Sequence, residues 1–335
     1  MEQFVIREKH LKNFKTLCKA REQGILGLMA NFLKTKYTNV RRTPTYVIAE
    51  GSIPVALVAH ADTVFKTPPS LFFYDTRQSV IWSPDGMGAD DRAGIFAIME
   101  ILRTSDLRPH VIITTGEEIG CVGASKLVGD YYKFPWDLKF LIQLDRRGKE
   151  DCVFYDCDNL KFQTFIETFG FKTDWGSMSD ISVLAPAWEV AAVNLSVGYY
   201  EEHTKQEFLC FQYLFQTIER TKQILMYVIE HPEMEKWEYI PLQYNYASEN
   251  YDYAWGDENS WVVCPECHQT NLDIDMVPMK FEKLGGKTQS ICIDCFARIS
   301  HLVNYCDVCG LPWVTKTPKP AHWVCPDCEV KKNND

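Results

Sequence analysis

The chain has 335 residues, 46% hydrophobic and 24% charged, with a formal net charge of −10. That length allows one large domain or two unequal ones around a real core, and the acidic balance argues against a nucleic-acid or anionic-membrane partner. No apolar run approaches the roughly 18–20 residues of a membrane span, and MEQFVIREKHLKNFKTL, at the N-terminus, lacks the pattern of a secretory signal. The expectation is a soluble, cytoplasmic protein.

In chain order, strand-like apolar runs are YVIAE from 46, VALVAHA from 55, VIWS from 80, HVIITT from 110, LKFLIQLD from 138 and AAVNLSVG from 191. Several are nearly continuous, as in strands covered on both faces. DDRAGIFAIMEILRTS places Ile95, Ile98, Met99 and Leu102 on one helical face. A second helical pattern, TKQEFLCFQYLFQTIERTKQILMYVIEH, carries Phe208, Phe211, Phe215, Ile218, Leu225 and Ile229 and stops at Pro232. The alternation predicts a three-layer α/β/α domain over residues 1–232 with a mostly parallel mixed sheet. Residues 233–260, acidic and rich in tyrosine, read as a linker whose aromatics suit docking on a neighbouring domain. Residues 261–335 read as a small metal-stabilised domain.

In an open α/β sheet, ligands bind beyond the carboxyl ends of the strands. The strand candidates deliver polar residues there. VALVAHAD ends in His60 and Asp62, which point the same way on extended backbone, so the carboxylate can fix the imidazole tautomer. SPDGMGADDRAG brings Asp90 to a helix start, where an aspartate also serves as an ordinary N-cap. HVIITTGEE delivers Glu117 and Glu118, LKFLIQLD delivers Asp145, and NLSVGYYEEH delivers His203. Singly, each has an ordinary structural explanation. Together they form a histidine–carboxylate set that suits zinc, manganese or cobalt, and so many buried acids would otherwise be costly.

The motifs HADTV, GADDRAG, TTGEEIG, QLD and GYYEEHT resemble, in order and approximate spacing, those of the co-catalytic zinc peptidases, nearest to the peptidase T, aminoacylase and carnosinase group. The resemblance spans roughly residues 45–230 and implies a zinc-exopeptidase-like domain. It implies that His60 and Asp145 hold one metal, Glu118 and His203 the other, and that Asp90 bridges both, its peptide bond to Asp91 being cis. Asp62 would orient His60, and Glu117 would be the general base acting on a bridging water and then the acid for the leaving amine. Two catalytic divalent metals, zinc foremost with cobalt or manganese as alternatives, are the implied cofactors. Many relatives carry a lid or dimerisation domain between the residues matching Asp145 and His203, and here that interval is too short to hold one. Groups that bind the substrate are therefore unassigned by the resemblance. Local candidates are Arg146 and Arg147, which equally suit a solvated surface, and the loop GSMSDIS with Ser179 and Asp180, whose carboxylate could receive a substrate amino group.

Of thirteen cysteines, five are scattered (Cys18, Cys121, Cys152, Cys157, Cys210), and the others form four C-x-x-C pairs. Such pairs signal two closed zinc sites of four thiolates each. Consecutive pairing puts Cys264, Cys267, Cys292 and Cys295 on one zinc and Cys306, Cys309, Cys325 and Cys328 on the other. An interleaved cross-brace is the alternative. MKFEKLGGKTQS reads as a hairpin turning at Gly285 and Gly286, and CIDCFARISHLV as a helix opening on its own ligands, a layout resembling a treble clef. Eight basic against nine acidic residues from 262 onward disfavour a nucleic-acid platform and favour a structural or protein-docking role.

The leading functional reading is a zinc-dependent exopeptidase, an aminopeptidase or dipeptidase, acting on a peptide or an N-acyl amino acid. The alternative is an inactive hydrolase-fold adaptor that binds protein partners through its zinc fingers. A serine hydrolase is disfavoured because NLSVG lacks the first glycine of G-x-S-x-G.

Overall fold

A computed structural model describes residues 6–241 and, between 261 and 329, a discontinuous set of residues. The chain divides into two units, Met1–Asn245 and Tyr246–Asp335. The first opens with helices α1 (Glu8–Lys19) and α2 (Glu22–Lys34), then strands β1 (Val40–Arg42), β2 (Tyr46–Ala49), β3 (Ile53–His60), β4 (Phe73–Asp75) and β5 (Val80–Trp82). Helix α3 (Ala89–Thr104) leads to β6 (Pro109–Thr114), α4 (Val122–Asp130), β7 (Phe140–Arg146), β8 (Asp151–Val153), α5 (Leu160–Glu167) and β9 (Lys172–Thr173). The unit continues through α6 (Asp180–Ala187), β10 (Ala192–Ser196), β11 (Tyr199–Tyr200), β12 (Phe208–Cys210) and α7 (Phe211–Glu230).

Eight strands form one mixed sheet in the order β1-β2-β6-β3-β7-β10-β8-β9. Its centre, β6-β3-β7-β10, is parallel, and β2 and β8 join it antiparallel. Alternation along the strands builds the layers. Val55, Leu57 and Ala59 face one core with α1, α2, α3, α5 and α7, while Ala56 and Val58 face another with α4 and α6. The three-layer expectation therefore holds. The parallel arrangement brings the carboxyl ends of β3, β6, β7 and β10 to one edge.

The motif GADDRAG owes two of its glycines to geometry. Gly88 sits at φ +66°, the left-handed region, at the start of α3. A Cβ on Gly94 would lie 2.0 Å from the Leu144 carbonyl, so only glycine lets α3 lie this close to β7. Residues 89–102 of α3 are buried on every side, more than the single apolar face implies.

Two expectations need correction. The last helix starts at Phe211, not near residue 204. Phe208–Cys210 form β12 and pair antiparallel with β5, Phe208 opposite Trp82, in a second sheet of order β11-β12-β5-β4. The apolar spacing runs unbroken from strand into helix, so periodicity does not separate them. The first unit also continues past Pro232: Met234, Trp237 and Tyr239 pack on its cores, and the Trp237 amide donates to the Lys139 carbonyl at 2.9 Å. The segment read as the start of a linker is thus part of this unit as far as 241, and residues 242–260 lie outside the described residues.

In the second unit, β13 (Trp261–Val263) pairs antiparallel with β14 (Thr270–Leu272). Strands β15 (Met276–Phe281), β16 (Lys287–Cys292), β17 (Val303–Tyr305) and β18 (Pro312–Val314) form a sheet in the order β16-β15-β18-β17. β15 and β16 pair antiparallel from Met276↔Cys292 to Phe281↔Lys287, as the hairpin reading requires. Gly285 and Gly286, and most of the helix expected after Cys292, lie outside the described residues. Among the described residues, no helix is long and apolar enough to cross a membrane.

Candidate metal centres

His60 ends β3, and Asp145 lies near the end of the neighbouring β7. Their register is parallel, so both side chains reach the same edge of the sheet. His60 Nε2 lies 3.4 Å from Asp145 Oδ1 and 3.0 Å from Asp90 Oδ1. The other oxygen of Asp90, Oδ2, lies 3.2 Å from His203 Nε2, which is itself 3.0 Å from Glu118 Oε2. One carboxylate thus presents an oxygen to each of two imidazoles. The peptide bond Asp90–Asp91 is cis, as the resemblance implies.

Each anchoring residue is held in turn. His60 Nδ1 faces Asp62 Oδ1 at 3.3 Å. Asp62 does more than orient the ring: its two oxygens accept the amides of Glu117 (3.2 Å) and Glu118 (3.1 Å). Asp145 Oδ2 accepts from Gln143 Nε2 (3.0 Å) and Ser179 Oγ (3.1 Å), while the Tyr199 hydroxyl lies 3.3 Å from Oδ1. Asp91, fully buried, accepts the amides of His60 (3.2 Å) and Gly94 (2.7 Å). Glu207, also fully buried, accepts those of Asp90 (3.2 Å) and Met87 (3.1 Å). The buried guanidinium of Arg92 turns away from these acids and donates to the carbonyls of Leu17, Ala20, Ala61 and Asp62.

The electrostatics follow from that crowding. Burial alone would depress the His60 pKa, but Asp145, Asp62 and Asp90 hold it well above the usual imidazole range. Hydrogen bonding to Asp90 and Glu118 pushes His203 up to about 11. Burial, reinforced by the charges of Asp145, Asp180 and Asp90, pushes Glu117 up to about 9 against the pull of His60. Burial likewise raises Asp145 to about 7 and Glu207 to about 7. Asp90 goes the other way: its two imidazole partners overcome burial and keep it below the ordinary aspartate value.

The donor set suits divalent cations. Ligands 2.0–2.1 Å from a tetrahedral ion lie about 3.3 Å from one another, and the contacts of His60 and His203 with their carboxylates run from 3.0 to 3.4 Å. Buried acids outnumber the cationic groups around them, and Glu118 Oε1 has no hydrogen-bond partner. His60, Asp90 and Glu118, and likewise His60, Asp91 and Asp145, gather closely enough to share an ion.

In the second unit the structure brings together Cys264, Cys292 and Cys295, and separately Cys306, Cys325 and Cys328. That grouping follows consecutive pairing; a cross-brace would join Cys264 to the third pair. Cys267 and Cys309 lie outside the described residues.

Each of the candidate substrate groups has a partner within the chain. Asp180 is 0% exposed and accepts a hydrogen bond from Thr114, so it presents no carboxylate to a substrate. Arg146 is committed to Asp174 (2.8 Å) and the Trp175 carbonyl (3.0 Å), pinning the loop beside Asp145. Arg147 pairs with Glu202 at 3.0 Å. Sequence reasoning missed Asp91, Gln143, Tyr199 and Glu207. For Gln143 a signal existed: it is polar in an apolar strand and two residues from Asp145, hence on the same side.

No protein-family model matches the chain, and no curated protein matches it. Solved structures do. A tripeptidase from Staphylococcus aureus superposes with a TM-score of 0.55 at 15% identity, covering 68% of this chain and 100% of its own. Aminopeptidase PepT from Bacillus cereus gives 0.54 at 15% identity over 67% and 99%, and a TET aminopeptidase from a marine-sediment thaumarchaeon 0.53 at 14% over 65% and 97%. The first unit therefore has the fold of the aminopeptidase-like peptidases.

Proposed function

We propose that the chain is a dinuclear metallopeptidase of exopeptidase type, cutting a peptide or related amide bond. The observation that carries this reading is Asp90, whose two oxygens each face a different histidine, 3.0 Å from His60 and 3.2 Å from His203. His60 and Asp145 would hold one divalent ion and His203 and Glu118 the other, with Asp90 shared. When bound, such a pair polarises a substrate carbonyl and makes hydroxide available near neutral pH. Glu117 Oε2, 3.9 Å from His60 Nε2, stands at the edge of the set and would take the proton from water and pass it to the leaving amine. The half-exposed His203 side chain marks the open side by which substrate enters. The peptidase folds of the relatives support the same class. The two cysteine groups would each hold a structural zinc, completed by Cys267 and Cys309, and the unit they stabilise would serve as a scaffold or protein-docking module. Buried, unbridged thiols at Cys18, Cys121, Cys152, Cys157 and Cys210 suit a reducing cytoplasm.

The deciding experiment measures metal content and peptide hydrolysis for the full chain and for residues 1–245, a boundary that keeps Trp237 in its core. About four ions per full chain and about two per truncated chain are expected, with release of N-terminal residues from unblocked peptides and none from N-acetylated ones. A full chain holding about two ions and a truncation holding none would put the adaptor reading in its place.

A second result follows from the raised pKa values. With Asp145 at about 7 and His203 at about 11, the cation-free cluster holds protons at neutral pH. Ligands must lose those protons to bind metal, so loading releases them and affinity falls as pH falls. Calorimetric titration in buffers of differing ionisation enthalpy will show net proton release near pH 7. Uptake, or no exchange, would contradict this ligand set.

A further inference from the structure

We propose that Glu207 is a positioning residue for the metal centre, bracing the Asp90 turn against the His203 loop so that the two oxygens of Asp90 meet both histidines. The inference rests on the dinuclear reading above. Glu207 Oε1 accepts the amide of Asp90 at 3.2 Å, and Oε2 accepts that of Met87 at 3.1 Å. Both amides lie where the chain turns into α3; that of Asp90, in the first turn, has no partner within the helix. Asp90 itself is non-helical there, at φ −76° and ψ 106°, so no helical hydrogen bonding fixes its orientation. The brace comes from a distant part of the chain: Glu207 closes the loop that carries His203, its own amide bonded to the Thr204 carbonyl at 3.2 Å. One buried carboxylate therefore ties together the two segments that supply Asp90 and His203. Glutamine at this position keeps the shape but opposes an N–H donor to one of the two amides.

The test titrates Mn2+ into the full chain and its Glu207→Gln variant, following heat and melting temperature. Mn2+ suits carboxylate and imidazole rather than thiolate, so it reads this cluster and not the cysteines. The wild-type chain is expected to take up two ions, and the variant to bind them about 10–100-fold more weakly. The rise in melting temperature produced by Mn2+ shrinks accordingly in the variant. Unchanged affinity in a folded variant, or a loss confined to the melting temperature without metal, overturns the proposal and leaves Glu207 a structural cap. Should Glu207→Gln not fold, Glu207→Asp, which keeps the charge but shortens the reach, is judged by the same readouts. A wild-type chain that takes up no Mn2+ would overturn the dinuclear reading itself.

Discussion

Replacing Glu117 with glutamine will lower kcat on a peptide substrate by about 10²–10⁴-fold while leaving the metal content unchanged. Glu117 Oε2 stands 3.9 Å from His60 Nε2, farther than the carboxylates of Asp90, Asp145 and Glu118 lie from their imidazoles, 3.0 to 3.4 Å. Its main chain is held independently, because its amide donates to Asp62 Oδ1 at 3.2 Å. Glutamine therefore keeps the loop in place and removes only the ability to carry a proton. Burial favours a neutral Glu117 when no cation is near, and a bound pair would draw its pKa down to where a carboxylate serves as a base. The checks are steady-state kinetics beside metal analysis on the same preparation. If the variant loses metal as well as rate, Glu117 is a ligand and the base lies elsewhere.

Stripping metal from the second unit will unfold it while the first unit keeps its structure. The described core there is small: Phe281 and Ile291 with Cys264, Cys292 and Cys295, and Trp313 with Cys306, Cys325 and Cys328. Cysteines make up most of both clusters, so the proposed ligation and the packing would involve the same side chains. Structural zinc contributes about 10–16 kcal/mol of apparent binding free energy in finger-sized domains, far more than so few apolar groups could supply. Chelator treatment or Cys292→Ser should make residues beyond 245 readily digestible and leave the first unit resistant. Limited proteolysis followed by mass analysis reads this directly. A protease-resistant second unit after complete metal removal would mean that its fold does not depend on these ligands.

The centre of the sheet was legible because β3, β6, β7 and β10 are mostly apolar, with Gln143 in β7 and Asn194 in β10 among the interior exceptions, and each ends in a polar residue. Asp90, His60, Asp145, Glu118 and His203 stand at those ends or at the turns between them, and the structure brings all five together. What periodicity does not carry is pairing at long range. β12 read as helix because its partner, β5, lies far away in sequence, and Glu207, just before it, was not singled out. The same limit hid Asp62's hold on the Glu117–Glu118 turn. Asp180, read as a carboxylate that could receive a substrate amino group, is instead buried where α6 begins.

The spread of the centre along the chain bears on how it is assembled. Asp90 and Glu207 are 117 residues apart, and the groups around them come from separate loops joined only through the finished sheet. Contacts of such separation bear a large loop-closure entropy and form late. As the polypeptide leaves the ribosome, the region around His60 and Asp90 emerges well before His203. A metal ion meeting the nascent chain would then find only fragments of the proposed coordination sphere and bind them weakly. On the proposed dinuclear reading, full occupancy would wait for β12 to dock on β5, and metal loading would report that the domain has finished folding.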